Sequence, residues 1–82
     1  MADLEQSRHL ATAIPGPKSQ ELHDRKARTV SAGVGVGLPV YVTRAGGGIL
    51  EDVDGNRLID FGSGIAVTTV GNADPRVVAR VT

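Results

Sequence analysis

Asp54-Gly55 lies between two short apolar runs, Ile49-Leu50 and Leu58-Ile59, and this arrangement constrains the fold more than any other feature of the chain. Asp-Gly readily adopts the positive φ angles of a tight hairpin turn, and the flanking runs give two strands a face to bury. A β-hairpin is expected. With a two-residue turn, Val53 pairs with Asn56, Asp52 with Arg57, Glu51 with Leu58 and Leu50 with Ile59. That register sets opposite charges across from each other at Asp52 and Arg57, and apolar partners at Leu50 and Ile59, on one face of the ladder.

Upstream, Leu38 to Arg44 is a run of β-branched and aromatic residues with Pro39 at its start, and Gly46-Gly47-Gly48 turns it back into the hairpin. A three-stranded antiparallel meander follows. Lys18 to Val30 is rich in helix formers, with Ser19 as N-cap and Gly33 as C-terminal cap. Only Leu22, Ala27 and Val30 form an apolar stripe, and Arg25 to Arg28 is highly charged, so this helix belongs on a surface. Ile14-Pro15-Gly16-Pro17 breaks any helix before it, because a residue preceding proline is pushed toward extended backbone. Residues 1–13 have too little apolar surface to dock strongly and are expected to form a mobile arm or a helix ordered by a partner. The arm extends to residue 17, and residues 18–82 form the folded segment.

After the hairpin, Gly62-Ser63-Gly64 ends the last strand and lets the backbone pass close to another group, and Ile65 beyond it suits the wall of a site. Asp74-Pro75 is a strong helix start, with Val77, Val78 and Val81 at helical spacing. The sequence stops about two turns into that helix, and isolated helices shorter than ~12 residues are marginal in water. The chain is expected to be the front end of something longer.

At 82 residues the chain is one domain at most, and a chain of this size buries only about 60 to 65% of its unfolded surface. One Phe, one Tyr, one Met and no Trp or Cys leave a thin core without disulfide staples, while eleven glycines raise the entropy that folding must overcome. Acidic and basic residues balance, so no net field draws nucleic acid or anionic membrane. With neither a transmembrane-length apolar run nor a signal-peptide pattern, a cytoplasmic location is expected.

Motifs with chemical precedent are weak. Gly33-x-Gly35-x-Gly37 follows a helix and precedes a strand, the reverse of a dinucleotide-binding turn, and is expected to be a flexible connector. Asp52-x-Asp54-Gly55-Asn56 places its glycine at the fourth position, where a calcium loop needs it at the sixth. No metal site is expected there. His9 and His23 have no partner at ligand or triad spacing and are expected to be solvated. Lys18 and Lys26 lie among charged residues and lack the desolvation that activates a catalytic amine. No catalytic or cofactor-binding residue is therefore assigned within the chain.

Asp52 to Ile65, read Asp-Val-Asp-Gly-Asn-Arg-Leu-Ile-Asp-Phe-Gly-Ser-Gly-Ile, followed by Gly71-Asn72-Ala73-Asp74-Pro75-Arg76-Val77-Val78, closely resembles the N-terminal part of class III pyridoxal-phosphate aminotransferases. Ile14 to Pro17, Gly33 to Gly35 and Leu38 to Val40 are most similar to the bacterial 4-aminobutyrate branch of that family. Many members carry His where this chain has Asn72 and Asp74. The resemblance implies an α+β fragment of the small domain of a fold-type I enzyme, cut before the cofactor-binding domain, in a cytoplasmic homodimer. It implies amino transfer from 4-aminobutyrate to 2-oxoglutarate, giving succinate semialdehyde and glutamate, with pyridoxal 5'-phosphate held by downstream residues. It further implies that Ile65 lines the substrate pocket and that Gly64 permits close approach, although core packing also accounts for Ile65. The fragment alone is expected to be inactive. An ornithine or acetylornithine enzyme and a non-enzymatic interaction module are the alternatives.

Overall fold

The structure, a computed structural model, describes residues 4–82. Its elements in order are α1 (Pro17–Thr29), β1 (Val42–Gly46), β2 (Ile49–Asp52), β3 (Arg57–Ile59), α2 (Ser63–Ala66) and α3 (Pro75–Val81). The strands form one antiparallel sheet in the order β1-β2-β3, which is the expected meander. Each connection is local. Gly47-Gly48 joins Gly46 to its partner Ile49, and the Asp54-Gly55 loop joins β2 to β3.

The register of the second hairpin differs by one residue from the two-residue-turn expectation. Glu51 pairs with Arg57, Leu50 with Leu58 and Ile49 with Ile59. Asp52 faces Asn56 instead of Arg57, its N–H donating to the Asn56 carbonyl at 3.0 Å. Three residues fill the loop, and Gly55 takes the left-handed position at φ +84°. This is the longer of the common hairpin connections. The cause is the Asp52 side chain, whose Oδ1 accepts from the backbone N–H of both Asp54 and Asn56 at 2.9 Å. A two-residue turn has no room for that capture.

β1 begins later than expected, at Val42, with a register shift between Val42 and Arg44. Residues 38–41 run against α1 instead, where the Tyr41 N–H donates to Ser19 Oγ at 3.1 Å. Ser19 is fully buried inside the first turn of α1 and is not its N-cap. That position belongs to Gly16, which has no side chain to offer. The cap comes from the hairpin loop: Asp54 Oδ1 accepts from Lys18 N at 2.7 Å and Asp54 Oδ2 from Ser19 N at 3.0 Å. A Cβ on Gly16 would overlap the Asp54 carboxylate, so the approach requires glycine there. At its other end α1 stops at Thr29 with Val30 as an extended cap, three residues before Gly33. Leu22 is half-buried while Ala27 and Val30 are exposed, which makes α1 a surface helix with a narrower apolar stripe than expected.

Residues 4–16 hold no helix, and they lie along the sheet. His9 and Arg57 form an isolated bridge, with N–H to O distances of 3.0 and 2.6 Å. Gln6 donates to the Gly46 carbonyl and accepts from Gly48 N, and Thr12 is bonded to Asn56 at both its N–H and its hydroxyl. The low apolar content of residues 1–13 predicts a mobile arm or a helix ordered by a partner; residues 1–3 lie outside the described residues, and residues 4–13 show no helix. Hydrogen bonds to the turns of the sheet supply what apolar burial does not. Among the described residues, Leu4 and Ile49 are the buried hydrophobic side chains, each 4% exposed.

Candidate functional site

β3 ends at Ile59, and Asp60 then turns the chain. The Asp60 N–H donates to Gly48 O at 2.9 Å, while its Oδ1 accepts from Ser63 N at 2.8 Å and its Oδ2 from Asn72 Nδ2 at 2.9 Å. These donors, the Asn72 amide foremost and the Ser63 N–H next, outweigh partial burial and hold the Asp60 carboxyl below its ordinary value.

The next segment, α2, is a single turn of left-handed backbone. Ser63, Gly64, Ile65 and Ala66 have φ of 51°, 60°, 63° and 63°. Glycine takes this region freely, whereas Ser, Ile and Ala do so at a cost of about 1–2 kcal/mol each. Local bonds close the turn: Gly62 O accepts from Ile65 N at 2.9 Å and from Ala66 N at 3.1 Å, and Ser63 O accepts from Val67 N at 2.8 Å. The Ser63 and Thr68 hydroxyls also meet across it.

Gly64 and Ile65, the residues the resemblance assigns to the pocket, thus occupy the middle of this turn. Ile65 is 93% exposed and Phe61 is 90% exposed. Within the described residues the Ile65 side chain therefore has almost no packing partner. A Cβ on Gly64 would come within 2.9 Å of Val67 Cγ2, which favours glycine at that position.

Asn72 continues the scaffold. It exchanges backbone hydrogen bonds with Gly47, 2.8 and 2.7 Å long, so the residues leading into α3 are fastened to the β1–β2 turn. Asp74 caps α3, accepting from Arg76 N at 2.9 Å, as the Asp-Pro pattern predicts. Beside this cap lies a cleft of about 450 Å³ lined by Val67, Val70, Val77, Val78 and Val81, with Asp74 at its polar edge.

These residues do not suit pyridoxal phosphate. The cleft has no cation for a phosphate and no lysine for the carbonyl carbon. The chain's two lysines, Lys18 and Lys26, are both on α1, and Lys26 Nζ donates to Val34 O at 2.5 Å. Among the described residues, no three His, Asp or Glu side chains converge as a metal site. His9 is exposed; His23, expected to be solvated, is half-buried with Nδ1 3.2 Å from the Tyr41 hydroxyl. The glycines at 33, 35 and 37 lie in an exposed connector. Asp60, Asn72 and Gln6 were not assigned roles from the sequence. For Asp60, the spacing to Ser63 matches a capping pattern and was the available signal.

The Aminotransferase class-III family profile matches residues 30–82, more than half of the chain. A 4-aminobutyrate aminotransferase from Mycobacterium tuberculosis is 72% identical over 81 residues, which are 99% of this chain and 18% of that protein. The 4-aminobutyrate aminotransferase of Mycobacterium leprae is 67% identical over the same shares. An alanine/serine racemase from Pyrococcus horikoshii is 44% identical over 68 residues, 82% of this chain and 14% of that protein. The chain thus spans under a fifth of the length of the curated relatives it matches. The glycine turns, the Asp60 strap and the Asp-Pro cap all fall inside the matched region, and the chain belongs to the class-III aminotransferase family.

Proposed function

We propose that residues 1–82 are N-terminal small-domain sequence of a pyridoxal-phosphate-dependent 4-aminobutyrate aminotransferase. The reaction moves the amino group of 4-aminobutyrate to 2-oxoglutarate and yields succinate semialdehyde and glutamate. The observation that carries this reading is identity of 67–72% to two mycobacterial 4-aminobutyrate aminotransferases over 99% of the chain, against 44% to the racemase. The cofactor supplies an electron sink. Its lysine, its phosphate cradle and the acid at its ring nitrogen come from sequence beyond these residues, since neither lysine here stands in a suitable cleft. Substrates are a small amine and a 2-oxo acid, and the enzyme works as a cytoplasmic homodimer. Among the described residues, no helix is long and apolar enough to cross a membrane.

In this reading the chain's contribution is a wall. Gly64 and Ile65 stand at the substrate pocket, with Ile65 offering an apolar face to the methylenes of the amine and excluding water beside them. Its 93% exposure supports a side chain presented to something other than its own segment.

The test is a graft in which residues 1–82 replace the 81 matched residues of the M. tuberculosis enzyme. Purified with cofactor, the graft is expected to form glutamate from 4-aminobutyrate and 2-oxoglutarate within about tenfold of the parent kcat/KM, a tolerance of about 1.4 kcal/mol in transition-state stabilisation. A folded, cofactor-loaded graft that turns over ornithine but not 4-aminobutyrate would refute the substrate assignment. One that turns over neither would refute the whole reading.

A further inference from the structure

We infer that Asp60 is a positioning residue for the Gly64–Ile65 wall, and through it a determinant of amine selectivity. The inference rests on the assignment of Ile65 to the pocket made above.

Ile65 is nearly fully exposed, so packing within this chain does not orient its side chain. Its direction is set by the backbone of α2. Left-handed backbone at Ser63, Ile65 and Ala66 persists only where the surroundings over-determine it. The bonds inside α2 close the turn, but they do not fix it to the sheet. Asp60 does so: one oxygen takes the N–H of the first residue of the turn, the other takes the Asn72 amide, and the Asp60 N–H is bound to Gly48 O. Asn72 is in turn bonded to Gly47 in both directions. Asp60 therefore links three places, its carboxylate joining the wall to Asn72 on the approach to α3 and its N–H reaching the β1–β2 turn.

The chemistry calls for a carboxylate. Both Asp60 oxygens act as acceptors. An amide of the same shape keeps one acceptor: with its oxygen on Ser63 N–H its NH₂ faces the Asn72 NH₂, and that contact survives only if the Asn72 amide turns over, giving up its bond to Gly47 O and setting an oxygen against it. Asp60→Asn thus loosens the wall with little change in volume.

The experiment uses the grafted holoenzyme and measures kcat and KM for 4-aminobutyrate and for 5-aminovalerate, one methylene longer. Asp60→Asn is expected to raise KM for 4-aminobutyrate by roughly three- to tenfold with kcat changed less than about twofold, the signature of lost uniform binding. The ratio of kcat/KM for the two amines moves in the same direction as in Ile65→Ala. Asn72→Ser cuts the second strap alone and shifts KM the same way, which keeps the test open if Asp60→Asn folds poorly. An Ile65→Ala effect on KM without an Asp60→Asn effect would overturn the role of Asp60 and leave the pocket assignment standing. No effect of Ile65→Ala overturns both. A fall in kcat that tracks lost cofactor-bound protein, with KM unmoved, reduces Asp60 to a folding role and overturns the inference.

Discussion

Replacing Asn56 with alanine removes one of the fasteners between residues 4–16 and the sheet. Asn56 is fully buried; its Oδ1 accepts from Thr12 N at 2.8 Å, and its Nδ2 donates to Thr12 Oγ1 at 2.8 Å and to Asp52 Oδ2 at 3.0 Å. A net intramolecular hydrogen bond contributes about 0.5–1.5 kcal/mol, so losing the two bonds to Thr12 costs the docked segment roughly 1–3 kcal/mol. Local opening is the appropriate observable, because it needs no two-state transition of a whole enzyme. Hydrogen exchange reports it directly: the Thr12 and His9 amides, bound to Asn56 and Arg57, are expected to exchange roughly 5- to 150-fold faster in Asn56→Ala. Thr12→Val, which keeps the N–H bond and drops the hydroxyl, is expected to give a smaller increase. Combined with Asn56→Ala it should add little, since both changes act on one contact. Unchanged exchange at residues 9 and 12 in Asn56→Ala would refute the claim that polar bonds to the hairpin loop hold this segment down.

Asp54 gives a pH prediction. Partial burial pushes its carboxyl up, but the backbone N–H groups of Ser19 and Lys18 together hold it below its ordinary value of 3.8. A folded value below the unfolded one means the cap on α1 is fully present above the ordinary value and lost as pH falls through the folded value. Exchange at the first turn of α1 should rise across that acid range, and Asp54→Asn should remove this limb of the profile. Gly71→Ala is expected to destabilise by about 1–2 kcal/mol, because alanine must adopt left-handed backbone there. In addition, its Cβ would lie 3.0 Å from Gly47 O. Gly35→Ala, with open space around the added carbon, is the matched control and should leave the thermal midpoint unchanged. A Gly71→Ala protein as stable as the control would count against the Gly47–Asn72 bridge as a structural fixture.

Elements defined by their own turn residues were legible. Gly46 to Gly48, Asp54-Gly55 and Asp74-Pro75 carry their conformations locally, and the meander and the start of α3 follow from them. The hairpin register was not legible from cross-strand pairing. The Asp52 carboxylate competes for the amides of Asp54 and Asn56, and pairing rules do not weigh that competition. The α1 cap was hidden for a different reason: its accepting carboxylate is Asp54, 36 residues from Lys18. Ser19 looked like the cap and is instead the acceptor for Tyr41. The fixed course of residues 4–16 depends on Asn56, Arg57 and Gly46, and no local periodicity points to them. As for the candidate site, the glycine run suggested a wall at Ile65 and the family resemblance assigned Gly64 and Ile65 to a substrate pocket, but the left-handed turn that carries them contradicts the local preference of Ser, Ile and Ala.

The aspartates explain how residues with so little apolar burial are held in shape. Asp52 takes the amides of Asp54 and Asn56, Asp54 takes those of Lys18 and Ser19, Asp60 that of Ser63, and Asp74 that of Arg76. Each ties down a turn or a helix start that would otherwise leave backbone donors without partners. A carboxylate engaged in this way has its lone pairs directed at fixed N–H groups and is a poor proton acceptor, as the lowered values of Asp54, Asp60 and Asp74 reflect. The Asp-x-Asp-Gly-Asn pattern that suggests cation binding is thus accounted for by backbone amides. What this leaves for function is geometry: a sheet edge and a strapped turn that present Ile65. In the proposed reading the reaction belongs to other segments, and Asp60 acts on selectivity for the amine by holding this turn.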